Sequence, residues 1–279
     1  MNMLGYSTLG FADRDAAAAL DAIAEAGFEA AEILCKPPHL AEPLTGSQAA
    51  EFRAALERRK LHSWTVHAPL GRTVLGAPQE PWRCEKVAEL ARFIRFSGEI
   101  AARAIIIHPV PNPMFVPDAD DPQIPALMRS ALSRSLDDLL PLAEQTGVRI
   151  LLENLPYHCG YPFLSMRDLR ALVERYPASC LGLVVDTGHV CALRNDLAGE
   201  IHAAGPRLCG THLSDFDSAS PADGHRVPGR GELDWQVVRS ALADLQYTGP
   251  LLFEIGLSNG QCAEDVARAT LKFARSWAR

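Results

Sequence analysis

Short apolar runs that end in an acid or an imidazole recur along this 279-residue chain, and they restrict its fold more than any other feature. Val184-Val185 runs into Asp186-Thr187-Gly188-His189, Ile150-Leu151-Leu152 into Glu153, Ile105-Ile106-Ile107 into His108, and Leu251-Leu252-Phe253 into Glu254. Uninterrupted apolar runs of this length belong in strands buried on both faces, as in a parallel sheet. An ionisable group at the end of such a strand needs a partner or a task. Four of them in equivalent positions place a site at one end of a barrel.

Between the runs lie segments of helical period. Strands are predicted at Leu4–Leu9, Ala30–Leu34, His62–Val66, Ala104–Ile107, Val148–Leu152, Leu181–Val185, Leu208–Thr211 and Pro250–Phe253. Asp13 can start a helix with Ala16, Leu20, Ile23 and Ala24 on one face, which Gly27 stops. Ser47 is read as the N-cap of a helix through Arg59, and Asp234 as the cap of a helix carrying Val238, Ala241, Leu242 and Leu245. The stretch from Pro109 to Pro125 is too long for a plain connector and reads as a lid or specificity loop. Strict β–α alternation implies parallel strands with helical crossovers. Eight such units, with no break in composition, predict one domain over residues 1–279, an α/β fold of the (β/α)8 TIM-barrel type. The alternative is an open doubly wound sheet, but no G-x-G-x-x-G follows the first strand.

A formal net charge of −7 disfavours nucleic acid as a partner. The amino terminus lacks a basic region followed by an apolar run, and no apolar stretch approaches membrane-spanning length. Seven scattered cysteines without a C-x-x-C pair read as reduced thiols, so a cytoplasmic protein is expected.

Side chains just past the strand ends of such a barrel converge on its C-terminal face. They are His67, His108, Glu153, Asp186, His189, His212 and Glu254, joined by Asp223 and His225 from the loop after the seventh strand. A set of imidazoles and carboxylates without thiolates suits Mn²⁺ or Zn²⁺, with Mg²⁺ or Co²⁺ as further candidates. Each residue alone has a plain reading, as a hydrogen-bonded cap or half of an ion pair. The joint pattern is what carries weight, because five of the nine histidines fall at the same end of the barrel. Of the others, His39 and His202 are expected at the surface and His158 in a solvated loop. Glu32 is expected to form a surface ion pair, with a reach to the rim of the site as the alternative, Asp215 to orient a neighbour, and Trp235 to sit in the core. Asn154 is a candidate for a substrate hydroxyl or for orienting Glu153. Arg226 and Arg230 are candidates for a substrate phosphate or carboxylate, with solvation or pairing to Asp223 or Glu232 as the alternative.

The motifs Val66-His67-Ala68-Pro69, Ile107-His108-Pro109, Leu152-Glu153-Asn154, Val185-Asp186-Thr187-Gly188-His189, His212-Leu213-Ser214-Asp215 and Pro228-Gly229-Arg230-Gly231-Glu232-Leu233-Asp234-Trp235 follow one another in an order and spacing that resembles the xylose isomerase-like TIM barrels. That superfamily holds sugar and sugar-phosphate isomerases and epimerases, and the apurinic endonucleases of family two. For the isomerase branch the resemblance implies one divalent ion, often Mn²⁺, on Glu153, Asp186, His212 and Glu254. The two glutamates would also move a proton between adjacent carbons, and His189 would touch a substrate oxygen. For the endonuclease branch it implies three zinc ions on nine residues, which add His67, His108, His189, Asp223 and His225.

Two departures weigh against DNA cleavage. Asp118, Asp120 and Asp121 lie on the face a DNA backbone would approach. Leu70 stands where the endonucleases carry Tyr, and Phe216 and Asp217 where they carry Lys. The expectation is therefore a metal-dependent isomerase or epimerase of a small carbohydrate, with Glu153 and Glu254 as acid/base pair. A multinuclear zinc phosphodiesterase is the alternative. The resemblance also implies a homo-oligomer.

Overall fold

The computed structural model describes residues 2–219, 224–258 and 260–278. Eight parallel strands form one sheet: β1 Leu4–Ser7, β2 Ala30–Leu34, β3 His62–His67, β4 Ala104–Ile107, β5 Arg149–Glu153, β6 Leu181–Asp186, β7 Leu208–His212 and β8 Leu251–Phe253. Their order is β7-β6-β5-β4-β3-β2-β1-β8. The seam between β7 and β8 closes through a parallel bridge of Leu213 with Phe253. There Leu213 N–H donates to Leu252 O at 2.9 Å and Glu254 N–H to Leu213 O at 3.3 Å. The Thr211 hydroxyl completes the seam, accepting from Leu252 N–H at 3.2 Å and donating to Pro250 O at 3.3 Å. The sheet is thus a (β/α)8 barrel, as the alternation predicts.

The helices are α1 Ala16–Ala26, α2 Ser47–Arg58, α3 Glu80–Glu99, α4 Ile124–Thr146, α5 Met166–Val173, α6 Thr187–Ala192, α7 Leu197–Ala204, α8 Trp235–Asp244 and α9 Ala263–Trp277. Their apolar faces cover the barrel and bury one continuous cluster with the outward side chains of the strands, among them Ile33, Ile105, Ile107, Leu152, Leu183 and Val185. A separate small cluster of Ala104, Ile106, Leu151 and Val184 fills the barrel's interior, with Cys209 packed against it. Successive strand residues point to opposite faces. The partition is visible in β2, where Ala31 and Ile33 join the outer cluster and Glu32, fully buried, does not.

Gly27 ends α1 in the left-handed conformation at φ 97°, and Asp234 caps α8 by accepting from Gln236 and Val237 N–H. Two local readings change, those of Ser47 and His39. Ser47 is the first residue of α2, and Gly46, at φ 55°, holds the capping position. In the Asp-Thr-Gly-His segment, Asp186 caps the short helix α6 and Gly188 lies within it. His39 is 5% exposed and not a surface residue, and burial pushes its pKa down. The stretch after β4 forms a 3-10 turn over Pro113–Phe115 and is tied to the loop after β3, Asn112 N–H donating to Gly71 O at 3.3 Å. None of the seven cysteines is in a disulfide. Among the described residues no helix is long and apolar enough to cross a membrane.

The seam gives a direct test. Thr211→Val keeps the shape and removes the hydroxyl that bridges β7 and β8. A loss of about 1–3 kcal/mol is expected, from a lower urea midpoint at unchanged slope.

Candidate metal and active site

The ends of β5 to β8 bring four donors to one place. Glu153, Asp186, His212 and Glu254 are all buried, and each offers an atom within 4.8 Å of those of the other three. His212 stands at the centre. Its Nδ1 is 2.7 Å from Glu153 Oε1, 3.0 Å from Glu254 Oε2 and 3.9 Å from Asp186 Oδ2. Burial opposes a charge on this ring, but Glu254, Glu32 and Glu153 together hold its pKa well above the usual imidazole value. Burial also opposes ionisation of Glu153, yet His212, His108 and His67 keep that carboxyl well below the usual carboxylate range. Glu254 is held down in the same way, by His212 and His225.

Three carboxylates and one imidazole, buried together with donor atoms this close, match what a divalent cation requires: hard oxygen ligands, one nitrogen, and negative charge in excess. Without a cation, burying several like charges side by side costs free energy that one imidazolium only partly offsets.

The backbone around β6 aims Asp186. Its N–H donates to Asn154 Oδ1 at 2.8 Å, and Asn154 Nδ2 donates back to Asp186 O at 3.1 Å. Both ends of the Asn154 amide are thus spent on Asp186, neither on Glu153. Asp186 Oδ1 accepts from His189 N–H at 2.7 Å. Thr187 locks this strand end to the next, donating to Ser214 O at 2.8 Å and accepting from Ser214 N–H at 3.1 Å.

The remaining histidines ring the four. His67 Nε2 lies 3.4 Å and His108 Nε2 3.2 Å from Glu153 Oε2. His67, His108 and Glu153 form a second group of closely spaced donors. Burial opposes protonation of His67, but Glu153 and Glu32 raise its pKa, whereas burial prevails at His108 and lowers it. His189 is fixed by its Nδ1, 2.7 Å from Asn154 O. His225 reaches the rim, its Nδ1 being 3.8 Å from Glu254 Oε2. Asp223 lies outside the described residues.

The two arginines stand apart from this cluster. Arg226 pairs with Asp217 at 2.9 Å, a partner other than the Asp223 or Glu232 expected, and Arg230 is exposed. Asp215 orients, as expected. Its Oδ1 accepts from Phe216 N–H at 2.9 Å and Leu233 N–H at 3.0 Å, and its Oδ2 from Gly229 N–H at 2.7 Å and the Trp235 indole at 3.1 Å. Gly231 permits this, because a Cβ there would lie 2.1 Å from Phe216 O and 2.4 Å from Asp215 Oδ1.

Glu32 is the residue that sequence reasoning misplaced. It is fully buried and forms no surface pair; its Oε2 lies 3.0 Å from His212 Nε2 and accepts from the Thr65 hydroxyl at 2.8 Å. The usable signal was an acid in the middle of an apolar strand, although nothing local tells which face of the strand it takes.

The model of the family described as xylose isomerase-like TIM barrel matches residues 20–277. The chain belongs to that family. An uncharacterised protein of Methanocaldococcus jannaschii is 24% identical over 252 residues, covering 90% of this chain and 82% of that one. A D-psicose 3-epimerase of Enterocloster bolteae is 29% identical over 126 residues, 45% of this chain and 40% of that one. Among solved structures, a D-tagatose 3-epimerase-like protein superposes with a TM-score of 0.82 at 21% identity, over 99% of this chain and 97% of the other. The 3-keto-D-glucoside 4-epimerase YcjR of E. coli superposes with a TM-score of 0.81 at 20% identity, over 99% and 100%. At such identity these likenesses establish the shared barrel.

Asp215 tests how the loop after β7 is held. Asp215→Ala leaves four donors without their acceptor and is expected to cost about 2–4 kcal/mol, with faster proteolysis between residues 216 and 234. Arg226→Ala, which removes only a half-exposed ion pair, is expected to cost under about 1 kcal/mol in the same denaturation assay.

Proposed function

We propose that this protein is a divalent-metal-dependent epimerase or isomerase of a small polyhydroxy ketone, with Glu153 and Glu254 as the acid/base pair. The observation that carries this reading is the pair of buried glutamates held against one nitrogen of His212, at 2.7 and 3.0 Å. Sugar 3-epimerases among its structural neighbours support it.

Glu153, Asp186, His212 and Glu254 would hold the metal, Mn²⁺ or Zn²⁺. When bound, it would supply Lewis-acid stabilisation of the negative charge that develops on a substrate carbonyl oxygen. The proton chemistry belongs to the glutamates. One carboxylate removes the proton from the carbon next to the carbonyl. The other returns a proton to the opposite face, which inverts the centre. Whichever glutamate acts as base starts ionised, and the other starts protonated and supplies the proton that is returned. His189, its ring fixed by the Asn154 carbonyl, contacts a substrate hydroxyl. Asn154 acts one step removed, by aiming Asp186. The site's depth at the barrel end shields the carbanionic species from water.

The test is wash-in of solvent deuterium into ketoses by metal-loaded protein. Glu254→Gln and Glu153→Gln are each expected to lower the exchange rate by about 10²–10⁴-fold. Absence of exchange with every ketose of a broad panel, phosphorylated ones included, would sink the reading.

One observation favours a second reading, a multinuclear phosphodiesterase: His67 and His108 converge on Glu153 Oε2 and form a further donor group with it. Elemental analysis decides between them. One tightly bound ion per chain, retained in His67→Ala, is expected for the epimerase; three ions, with loss in His67→Ala, would support the hydrolase.

A further inference from the structure

We propose that Glu32 is a positioning residue for the metal site: through its hydrogen bond to His212 Nε2 it dedicates Nδ1 to the metal and fixes the aim of the ring. This rests on the metal-site reading above and goes beyond it, since Glu32 belongs to none of the four ligands.

Glu32 projects from the middle of β2 into the barrel and is fully buried. It lies below His212, with no surface from which to reach a substrate. Its Oε2 accepts two hydrogen bonds, from Thr65 Oγ1 at 2.8 Å and from His212 Nε2 at 3.0 Å. Its Oε1 has no hydrogen-bond partner among the described residues. A carboxylate can only accept, so the nitrogen that faces Glu32, Nε2, carries a hydrogen. Nδ1 faces Glu153 and Glu254 and shares a hydrogen with them in the metal-free site; a cation held by those two glutamates would take that hydrogen's place, while Glu32 keeps the one on Nε2. The ring is also confined in rotation, because His67 stacks on it with centroids 5.7 Å apart and planes at 18°. The Thr65 hydroxyl does for Glu32 what Glu32 does for His212: it sets the carboxylate's orientation.

Packing does not explain the carboxylate. Other side chains that fill the barrel's interior are apolar, among them Ala104, Ile106, Leu151 and Val184. An unbranched apolar side chain of similar length would fill the same volume. A buried carboxylate with one oxygen unsatisfied carries a desolvation cost that packing alone would not justify. Histidine ligands of metals regularly donate their second nitrogen to a carboxylate, which orients the ring and raises its basicity. The group therefore serves the site above it.

The experiment compares wild type with Glu32→Met, Glu32→Gln, Glu32→Asp and Thr65→Val, each stripped of metal and titrated with Mn²⁺ by calorimetry at one fixed pH. Glu32→Met is expected to bind about 10–100-fold more weakly, measured below the melting temperature of its metal-free form. Glu32→Gln keeps an acceptor at the right reach and is expected to recover most of the affinity. Glu32→Asp keeps the charge but falls short of Nε2, and is expected to bind more weakly than Glu32→Gln. Thr65→Val is expected to lose less than Glu32→Met. In the Zn²⁺-loaded wild type, imidazole ¹⁵N spectra should show His212 bound through Nδ1 and protonated at Nε2, a pattern degraded in Glu32→Met. Wild-type Mn²⁺ affinity in a folded Glu32→Met overturns the inference and leaves the metal site standing. If Glu32→Met does not fold, Gln and Asp decide alone, and Asp binding as tightly as Gln overturns it. No Mn²⁺ uptake by the wild type overturns the metal reading and this inference together.

Discussion

A single buried imidazole, His212, lies within hydrogen-bonding distance of three carboxylates, those of Glu32, Glu153 and Glu254. Charges taken out of water must be compensated where they lie. The rest of the site follows from that requirement. Histidines surround Glu153 on the sides His212 leaves open, and Asp186 is tied to Asn154 and to the start of α6. Negative charge remains in excess, so a cation completes the arrangement better than further side chains would.

The barrel makes such convergence possible, and specific polar braces make it rigid. Parallel strands deliver their last residues to one ring. Thr187 joins the ends of β6 and β7 through Ser214, and Thr211 joins β7 to β8. Asp215 gathers the loop after β7 with four accepted hydrogen bonds, and Gly231 allows the close approach this needs. A proton-transfer site gains from this stiffness, because small misplacements of a catalytic base reduce its efficiency strongly.

The eight strands, and Glu153, Asp186 and Glu254 at the ends of three of them, were legible in the sequence because each is a local pattern: an apolar run, a charge that stops it, and a repeat of the pair. Glu32 was legible only as an alternative at the rim of the site. Both faces of a barrel strand are buried, so an acid among apolar neighbours gives little sign of which face it takes. Its partner His212 is 180 residues away. Asn154 and Arg226 show the same gap: their chemistry was plain in the sequence, but their partners, the backbone of Asp186 and the carboxylate of Asp217, were not. His39 was misplaced because a Pro-rich loop reads as solvated, whereas this one buries it.

By itself the sequence determined the barrel and the set of ligand-type residues at its C-terminal end, since hydrophobic period and strand-end chemistry are encoded within a few residues. Only the tertiary structure decided which carboxylate faces which nitrogen, and therefore in which direction each group's pKa is pushed. Those are properties of pairs brought together across the barrel, where distances of 2.7 to 3.0 Å set the energetics and no local pattern records them.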